Sequence, residues 1–475
     1  MTGGRRKRAI FKRGSIGSVH FLKSRRRNVH LKNIGIFALL IAIIVITSWI
    51  NGVFVAPANL KTLVRDTSLY GLISIGVAMV IITGGIDLSI GSMIALCGVM
   101  LVQVINIRHE RIDFSSTIAA VQNEPTEGFD KPTLRFTDPP PDLRDGDRLV
   151  YESYRGESTI NVYRSVNVDD QVWIETHDSL RSIKPGLAIQ IDKIQYTPPL
   201  LACGIVLLFA AFLGLIHGLL ITRANLQPFV VTLCGLLIYR GMARVWTGDD
   251  QVGLLSALSD FKATVTGKAI EIPVPLIGRV SGERESFAEI VWIDFPVTGV
   301  LLAIVAVIAW VFLNRTIWGR HLIATGENKQ AAFYSGVATD RLIVLAYVVC
   351  AMLAGLAGIL FMLEWNSIQP GSSGSFYELY AIAAAVLGGC SLRGGRGAIL
   401  GVIAGAAVMR CLYKAIIVLD IPQEWEMVII GAALLASVLV DEIIRRFQLA
   451  RRLRRHDSGG SDSGSSDRGG SDSGW

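Results

Sequence analysis

Six cysteines in 475 residues, no two of them in a CxxC spacing, leave this chain without a disulfide framework or a thiolate metal site. Cys97, Cys203, Cys234, Cys350, Cys390 and Cys411 all lie in or beside apolar runs and read as small buried hydrophobes. There is no GxxxxGK[ST] phosphate loop, no His/Cys/carboxylate group at metal-ligand spacing and no suggested nucleophile-base pair. The chain therefore offers no motif for hydrolysing ATP, holding a metal or acting as an enzyme, and no bound cofactor is expected. Acidic residues are absent before Ile34, where eleven Lys and Arg residues stand. A basic start abutting an apolar span reads as a cytoplasmic N-terminus. No nucleic-acid-binding fold accompanies that run, so nucleic acid is not an expected partner.

What is abundant is apolar sequence. Hydrophobic residues make up 51% of the chain and charged ones 18%, and the mean hydropathy is +0.48. Ten runs approach the length needed to cross about 30 Å of hydrocarbon. They lie near 34–50, 68–82, 86–104, 200–222, 229–245, 297–313, 342–363, 376–389, 398–419 and 425–440. Ten crossings place the Arg-rich 314–341 loop, the Arg393/Arg396 turn and the Arg445–Arg455 tail on the side of the N-terminus. Lys61 and Arg65 then fall in a short external loop, and Arg410 sits in the outer half of a span, where a long basic side chain can snorkel. Ala56-Pro57-Ala58 resembles a signal cleavage site, but the 34–50 run is long for a signal and the chain is read as uncleaved.

One carboxylate stands out in Val80–Gly98, VIITGGIDLSIGSMIALCG. Asp87 follows Gly84 and Gly85 and precedes Ser89. A carboxylate at membrane depth costs about 2.5–3.5 kcal/mol on insertion scales and needs a partner or a wet cavity. The glycine pair lets a helix stop and restart, with Asp87 accepting from the freed N–H groups. Capping within its own turn and lining a translocation path both remain open for Asp87, and both can hold together.

Between residues 106 and 196 no membrane-length apolar run occurs. Short alternating stretches such as RLVYESY and STINVYRSVNV, bounded by DPPPDLRDGD and similar turns, read as strands of a small β-rich domain outside the membrane; a loosely ordered loop is the other reading. Gly397, Gly401 and Gly405, four residues apart, read as a close helix–helix contact. In the Gly319–Arg341 loop a helix can start after Gly326, with Asn328 as its cap. It would show Ala331, Ala332 and Ser335 on a compact surface before Gly336 stops it, and such a surface suits docking into a partner's groove. An ordinary connecting loop is the alternative.

The chain resembles the membrane permease subunit of bacterial ABC importers for monosaccharides, the ribose, xylose and galactose group. The resemblance runs through ITGGIDLSIGS at Ile82–Ser92, LQPFVVTL at Leu226–Leu233, YRG at Tyr239–Gly241 and GRHLIATGENKQAAFYSGV at Gly319–Val337. It continues through AGLAGILF at Ala354–Phe361 and QPGSSGSFYELYAIAAAVLGGCSLRGGRG at Gln369–Gly397. The runs and the Gly-Gly break read from the residues give, for such a permease, an all-α polytopic membrane protein of about ten transmembrane helices with a broken or re-entrant helix near Gly84–Asp87 and a small β-rich extracytoplasmic insertion. The resemblance implies a homodimeric or pseudo-dimeric permease in the inner membrane lipid, an ATP-binding subunit carrying ATP-Mg inside, and a periplasmic or lipid-anchored sugar-binding protein outside. In this family the matching loop is the coupling helix, which assigns Gly326, Glu327, Asn328, Ala331, Ala332 and Gly336 to ATPase coupling.

The expected layout is a basic cytoplasmic N-terminus (1–33), a first membrane segment (34–105), an extracytoplasmic β-rich insertion (106–196), a second membrane segment (197–445) with the coupling loop at 314–341, and a cytoplasmic tail (446–475) that is basic and then disordered. Tyr380 stands where the family usually has Asp, His217 where a small or amide residue is commoner, and the 106–196 insertion where the connection is usually short. Substrate candidates are His217, Trp365, Asn366 and Gln369, with a buried histidine satisfied by a neighbour as the other reading of His217. Arg240 is expected to pair with a carbonyl or carboxylate. Import of a nucleoside or branched-chain amino acid, or a sensor or assembly role for the outer domain, are the alternative functions.

Overall fold

The computed structural model describes residues 35–432, apart from 106–107, 124–130, 139–142, 144–146, 154–155, 169–170, 177–179, 181–182, 196, 255–258 and 279–286, together with 435 and 439. The basic N-terminal segment, the later part of the tenth apolar run apart from 435 and 439, and the C-terminal tail lie outside the described residues.

Among the described residues six helices are long and apolar enough to cross a membrane: α2 (Pro57–Ile82), α4 (Pro199–Thr222), α5 (Pro228–Thr247), α7 (Val297–Arg315), α10 (Thr339–Trp365) and α12 (Ile399–Val418). Of the ten expected runs, these six reach full crossing length among the described residues. Three further apolar helices are shorter: α1 (Gly35–Ile50), α3 (Ile90–Ile105) and α11 (Tyr377–Leu387). A helical stretch at 426–432 begins the tenth run.

Two boundaries differ from expectation for identifiable reasons. Pro57 takes the first helical position, where its missing N–H costs nothing, so α2 starts eleven residues before the apolar stretch. Lys61 and Arg65 therefore ride on helix rather than loop, and each finds an acid: Lys61 pairs with Asp294 at 3.0 Å and Arg65 with Glu364. The third run starts late, because residues 85–89 form no regular secondary structure and α3 begins only at Ile90.

The helical body centres on α2 and α3, with α10 packed against both and against α4. Leu72, Val77, Ile81, Ile94 and Leu96 are fully enclosed. By contrast α4, α5 and α7 leave apolar side chains such as Leu208, Leu237, Val245 and Ile308 open on one face. The glycine series does form a close contact: a Cβ on Gly405 would strike the Ala384 backbone of α11, and one on Gly388 would meet Gly401 of α12 at 2.5 Å. Arg410 of α12 does not snorkel. It donates to Asp66 of α2 at 2.6 Å and lies over the rings of Tyr70 and Tyr413, 4.6 and 4.4 Å from their centres.

Between α3 and α4 the strands β1 (Arg108–Gln122), β2 (Thr133–Phe136), β3 (Arg148–Ser153), β4 (Gly156–Val168), β5 (Gln171–Thr176) and β6 (Ala188–Gln195) close into an antiparallel barrel, in the order β1-β2-β5-β4-β3-β6. Closure removes the exposed edges a small sheet would otherwise carry. Ile118, Leu134, Leu149, Ile160, Ile174 and Ile191 fill its interior. Between α5 and α7 lie the short β7 (Val252–Gly253), α6 (Ser259–Thr266) and a hairpin of β8 (Lys268–Gly278) and β9 (Phe287–Pro296); β9 packs on α2.

Candidate functional site

The interruption between α2 and α3 is built by local chemistry. Thr83, Gly84 and Gly85 turn their N–H groups back onto the carbonyls of Val80 and Ile81, and Gly84 takes φ +87°, where glycine carries no Cβ penalty. Asp87 Oδ1 then accepts from the Ser89 N–H at 2.9 Å and from Ser89 Oγ at 2.7 Å, and Ser92 Oγ donates to the Ser89 carbonyl at 2.7 Å. This is an Asx turn immediately ahead of α3. Asp87 and Ser89 are buried, 2% and 1% exposed, so neither faces an open path in this conformation.

Neighbouring helices receive the backbone that the break frees. The Ile86 carbonyl accepts from Thr232 Oγ1 of α5 at 3.3 Å and from Tyr347 Oη of α10 at 3.4 Å. That is the condition under which non-helical backbone is tolerated at membrane depth. Gly85 is needed here, since a Cβ would stand 2.5 Å from Tyr347 Oη. His217 of α4 is buried at the same place, with its Nε2 2.8 Å from Tyr239 Oη, and a Cβ on Gly235 would stand 2.6 Å from that nitrogen. His217 thus joins Asp87 and Ser89 rather than the other substrate candidates.

A second interruption lies beside the first. α10 ends at Asn366, at φ +56°, and the chain forms β10 (Ser367–Ile368) against β7 before running alongside α3. A Cβ on Gly98 would meet Ile368, and one on Gly91 would meet the Gly374 carbonyl. Arg240 clasps this stretch, donating to the carbonyls of Pro370 at 3.0 Å and Ser373 at 2.6 Å. Asn366 Nδ2 donates to the Leu254 carbonyl at 3.3 Å and Gln369 Nε2 to the Asp249 carbonyl at 3.2 Å. Trp365 stacks on Phe361, ring centres 4.5 Å apart, and is half exposed. Asp249, outside the spans, is held below the usual carboxylate range by its hydrogen bonds from Arg244.

The 314–341 segment folds as two helices. Thr316 caps α8 (Ile317–Glu327) through the Gly319 N–H at 3.1 Å, and Asn328 caps α9 (Lys329–Tyr334) through the Ala331 N–H at 2.9 Å. Gly336 ends the motif at φ +84°. Helix α9 starts after Gly326 behind its Asn328 cap as expected, while α8, which the sequence did not single out, runs through Gly326 ahead of it. Ala332 is buried, 6% exposed, correcting its expected place on the surface. It turns inward because α9 has one inner face, and Ala331, Phe333, Tyr334 and Ser335 take the outer positions. Phe333 and Tyr334 are 63% and 85% exposed. Sequence reasoning overlooked both; two adjacent aromatics on a six-residue helix were the available signal. Nothing in the local sequence around Thr232 or Tyr347 pointed to the break.

Among the described residues no three His, Cys, Asp or Glu side chains are grouped to hold a metal ion. Residues 59–438 match the family described as branched-chain amino acid transport system / permease component. The chain belongs to this permease family. It is 27% identical, over 88% of its own length and 97% of the relative's, to the ribose import permease protein RbsC of Bacillus subtilis (strain 168). Identity to the autoinducer 2 import system permease protein LsrC of Escherichia coli O9:H4 (strain HS) is 35%, over 54% of this permease and 66% of the relative. Identity to the D-allose transport system permease protein AlsC of Escherichia coli (strain K12) is 30%, over 49% and 64%. No solved structure matches. Family and apolar helices together make this permease a multi-pass inner-membrane protein and a transport component rather than an enzyme.

Proposed function

We propose that this permease is the membrane subunit of an ATP-driven importer that takes up a monosaccharide of the ribose, xylose, galactose or allose kind. Similarity to a ribose import permease over nearly the full length of both chains carries the reading. An extracytoplasmic sugar-binding protein delivers the substrate, and a separate ATP-binding subunit holds ATP-Mg, with no cofactor on this chain. The open apolar faces of α4, α5 and α7 are covered by lipid and by a second permease subunit, in a homodimer or pseudo-dimer. Both termini are cytoplasmic and the barrel at 106–196 is extracytoplasmic, between membrane segments at 34–105 and 197–445.

The α8–α9 segment is the ATPase contact, with Gly326, Glu327, Asn328, Ala331, Ala332 and Gly336 shaping it and Phe333 and Tyr334 presented from it. Gly84, Gly85, Asp87 and Ser89 form the movable part of the path. His217 stands at that break, while Trp365, Asn366 and Gln369 border the second unwound stretch. Allostery of this kind needs two global states that ATP and the loaded binding protein favour differently. The 35% identity to the autoinducer 2 permease over its matched segment supports one second reading, import of that signal molecule.

The test is ATP hydrolysis by the reconstituted complex, its binding protein loaded in turn with ribose, xylose, galactose, allose, autoinducer 2 or a nucleoside. Stimulation by a sugar selects the first reading and stimulation by autoinducer 2 alone the second. Absence of a co-purifying ATP-binding subunit rejects both.

A further inference from the structure

Three segments distant in sequence touch backbone to backbone where α2 ends. The carbonyl of Ile82 accepts the Gly395 N–H at 2.9 Å. A Cβ on Gly326, in the last turn of α8, would land on that same carbonyl and stand 2.5 Å from the Gly395 nitrogen. A Cβ on Gly394 would stand 2.6 Å from the Gly326 carbonyl oxygen and 3.0 Å from the Gly84 nitrogen, and one on Gly395 would stand 2.9 Å from the Glu327 nitrogen. Gly84, Gly394 and Gly395 also hold φ of +87°, +84° and +72°. Side chains are thus excluded here by space as well as by backbone conformation. The turn that carries Gly394 is itself braced, with Gly394 N–H on the Ser391 carbonyl at 2.8 Å and Ser391 N–H on the Arg396 carbonyl at 3.1 Å.

The placement gives this contact a mechanical meaning. Two residues after Gly326 the Asn328 cap begins α9, and three residues after Gly84 stands Asp87. Side chains between two moving elements can change rotamer and absorb a shift. Backbone against backbone has no such slack, and a close-packed contact transmits strain. The Gly395–Ile82 hydrogen bond also fixes direction, because a sliding α8 would have to break it or carry it along.

We propose that Gly84, Gly326 and Gly394 form a joint that carries displacement of the α8–α9 segment into the break between α2 and α3, with Gly326 and Gly394 as positioning residues for transport. The proposal rests on the reading of α8–α9 as the ATPase contact. Coupling of this kind has to be demonstrated as a two-state element that both ends bias.

Two measurements test it. Hydrogen exchange is read first on the full-length permease alone in lipid nanodiscs, for wild type, Gly326→Ala, Gly394→Ala and Gly204→Ala, the last placing its methyl in open space. Either joint variant should raise exchange together at 82–91, 326–334 and 391–397 and leave 366–376 at the wild-type rate, as Gly204→Ala should everywhere. A rise confined to the substituted segment overturns the joint. The second measurement is the stimulation ratio, hydrolysis with ligand-loaded binding protein over hydrolysis without it, in the complex with the ATP-binding subunit. Coupling of the usual size predicts a fall of about fivefold or more in both joint variants, with the ATP-binding subunit still co-purifying. A wild-type ratio in either overturns the proposal. Should both variants fail to insert, Glu327→Ala, which removes the side chain lying against Gly395, takes their place in both measurements under the same criteria. Should wild type itself retain no ATP-binding subunit, the functional reading falls while the exchange measurement still decides whether the three segments move as one.

Discussion

Asp66 and Arg410 join α2 to α12 through a pair of side chains only 14% and 13% exposed, 2.6 Å apart. Removing one partner strands the other charge in a medium that solvates it poorly, a loss of about 3–5 kcal/mol for buried pairs. The two deletions should not cost the same. With Asp66→Ala the guanidinium keeps the faces of Tyr70 and Tyr413, each worth about 0.5–2 kcal/mol to a cation. With Arg410→Met the carboxylate of Asp66 loses its ion-pair partner, and the rings lose their charge as well. We expect Asp66→Ala to cost about 3 kcal/mol and Arg410→Met about 5 kcal/mol. The double variant Asp66→Leu/Arg410→Met, apolar on both sides, should return to within about 1–2 kcal/mol of wild type, because the desolvation penalty of both charges disappears. Thermal unfolding of the purified permease in detergent, followed by thiol-reactive dye at the buried cysteines, reads all the variants. Additive losses in the double variant, or equal and small losses in the singles, would refute the reasoning.

Phe333→Ala and Tyr334→Ala should weaken binding of the ATP-binding subunit by ~30-fold each, about 2 kcal/mol, measured by titrating the subunit onto immobilised permease; unfolding of the permease should hardly change, since both rings are exposed. Asp87→Asn keeps an acceptor for Ser89 and should leave stability within ~0.5 kcal/mol, whereas Asp87→Ala should cost about 1–3 kcal/mol by leaving the buried Ser89 N–H without its acceptor; a transport defect in stable Asp87→Asn, read by radiolabelled uptake into proteoliposomes, would show that the charge serves the path. Arg240→Gln removes two charge-assisted hydrogen bonds, about 1.5–3 kcal/mol each, and should raise hydrogen exchange at 366–376 before any other segment. Lys61 holds Asp294 below the usual carboxylate range. A depressed carboxylate contributes above its unfolded pKa of about 3.9 and loses that contribution as pH falls through the folded value. Exchange protection of the β9 end should therefore stay level from neutral pH to about 4 and fall only in stronger acid.

The break between α2 and α3 was legible because glycine and aspartate act locally. A glycine pair beside Asp-Leu-Ser states where a helix stops and how it restarts, and Asn328 and Gly336 mark α9 in the same way. Residues that act across the fold were not legible. Thr232 and Tyr347 look like ordinary span residues until α5 and α10 bring both hydroxyls to one carbonyl. Ala332 was misplaced because small size suits a docking surface and an inner face equally. The start of α2 was missed because a hydropathy window sees no apolar run before Ser68, while Lys61, Arg65 and Asp66 are satisfied by acids and bases from three other segments. His217 was legible as a buried histidine satisfied by a neighbour, but that the neighbour is Tyr239 behind the break was not.

The barrel enters and leaves the helical body at nearly one point. The last residue of α3 and the approach to α4 are hydrogen-bonded to each other, Thr197 N–H to the Ile105 carbonyl at 3.3 Å. To the helices, ninety residues of barrel therefore look like a single bend. Exposed junctions whose ends already touch are the sites where whole domains are gained and lost without disturbing their host. Such an appendage can change its sequence, size or binding habits on its own schedule, while the helices that move substrate keep theirs.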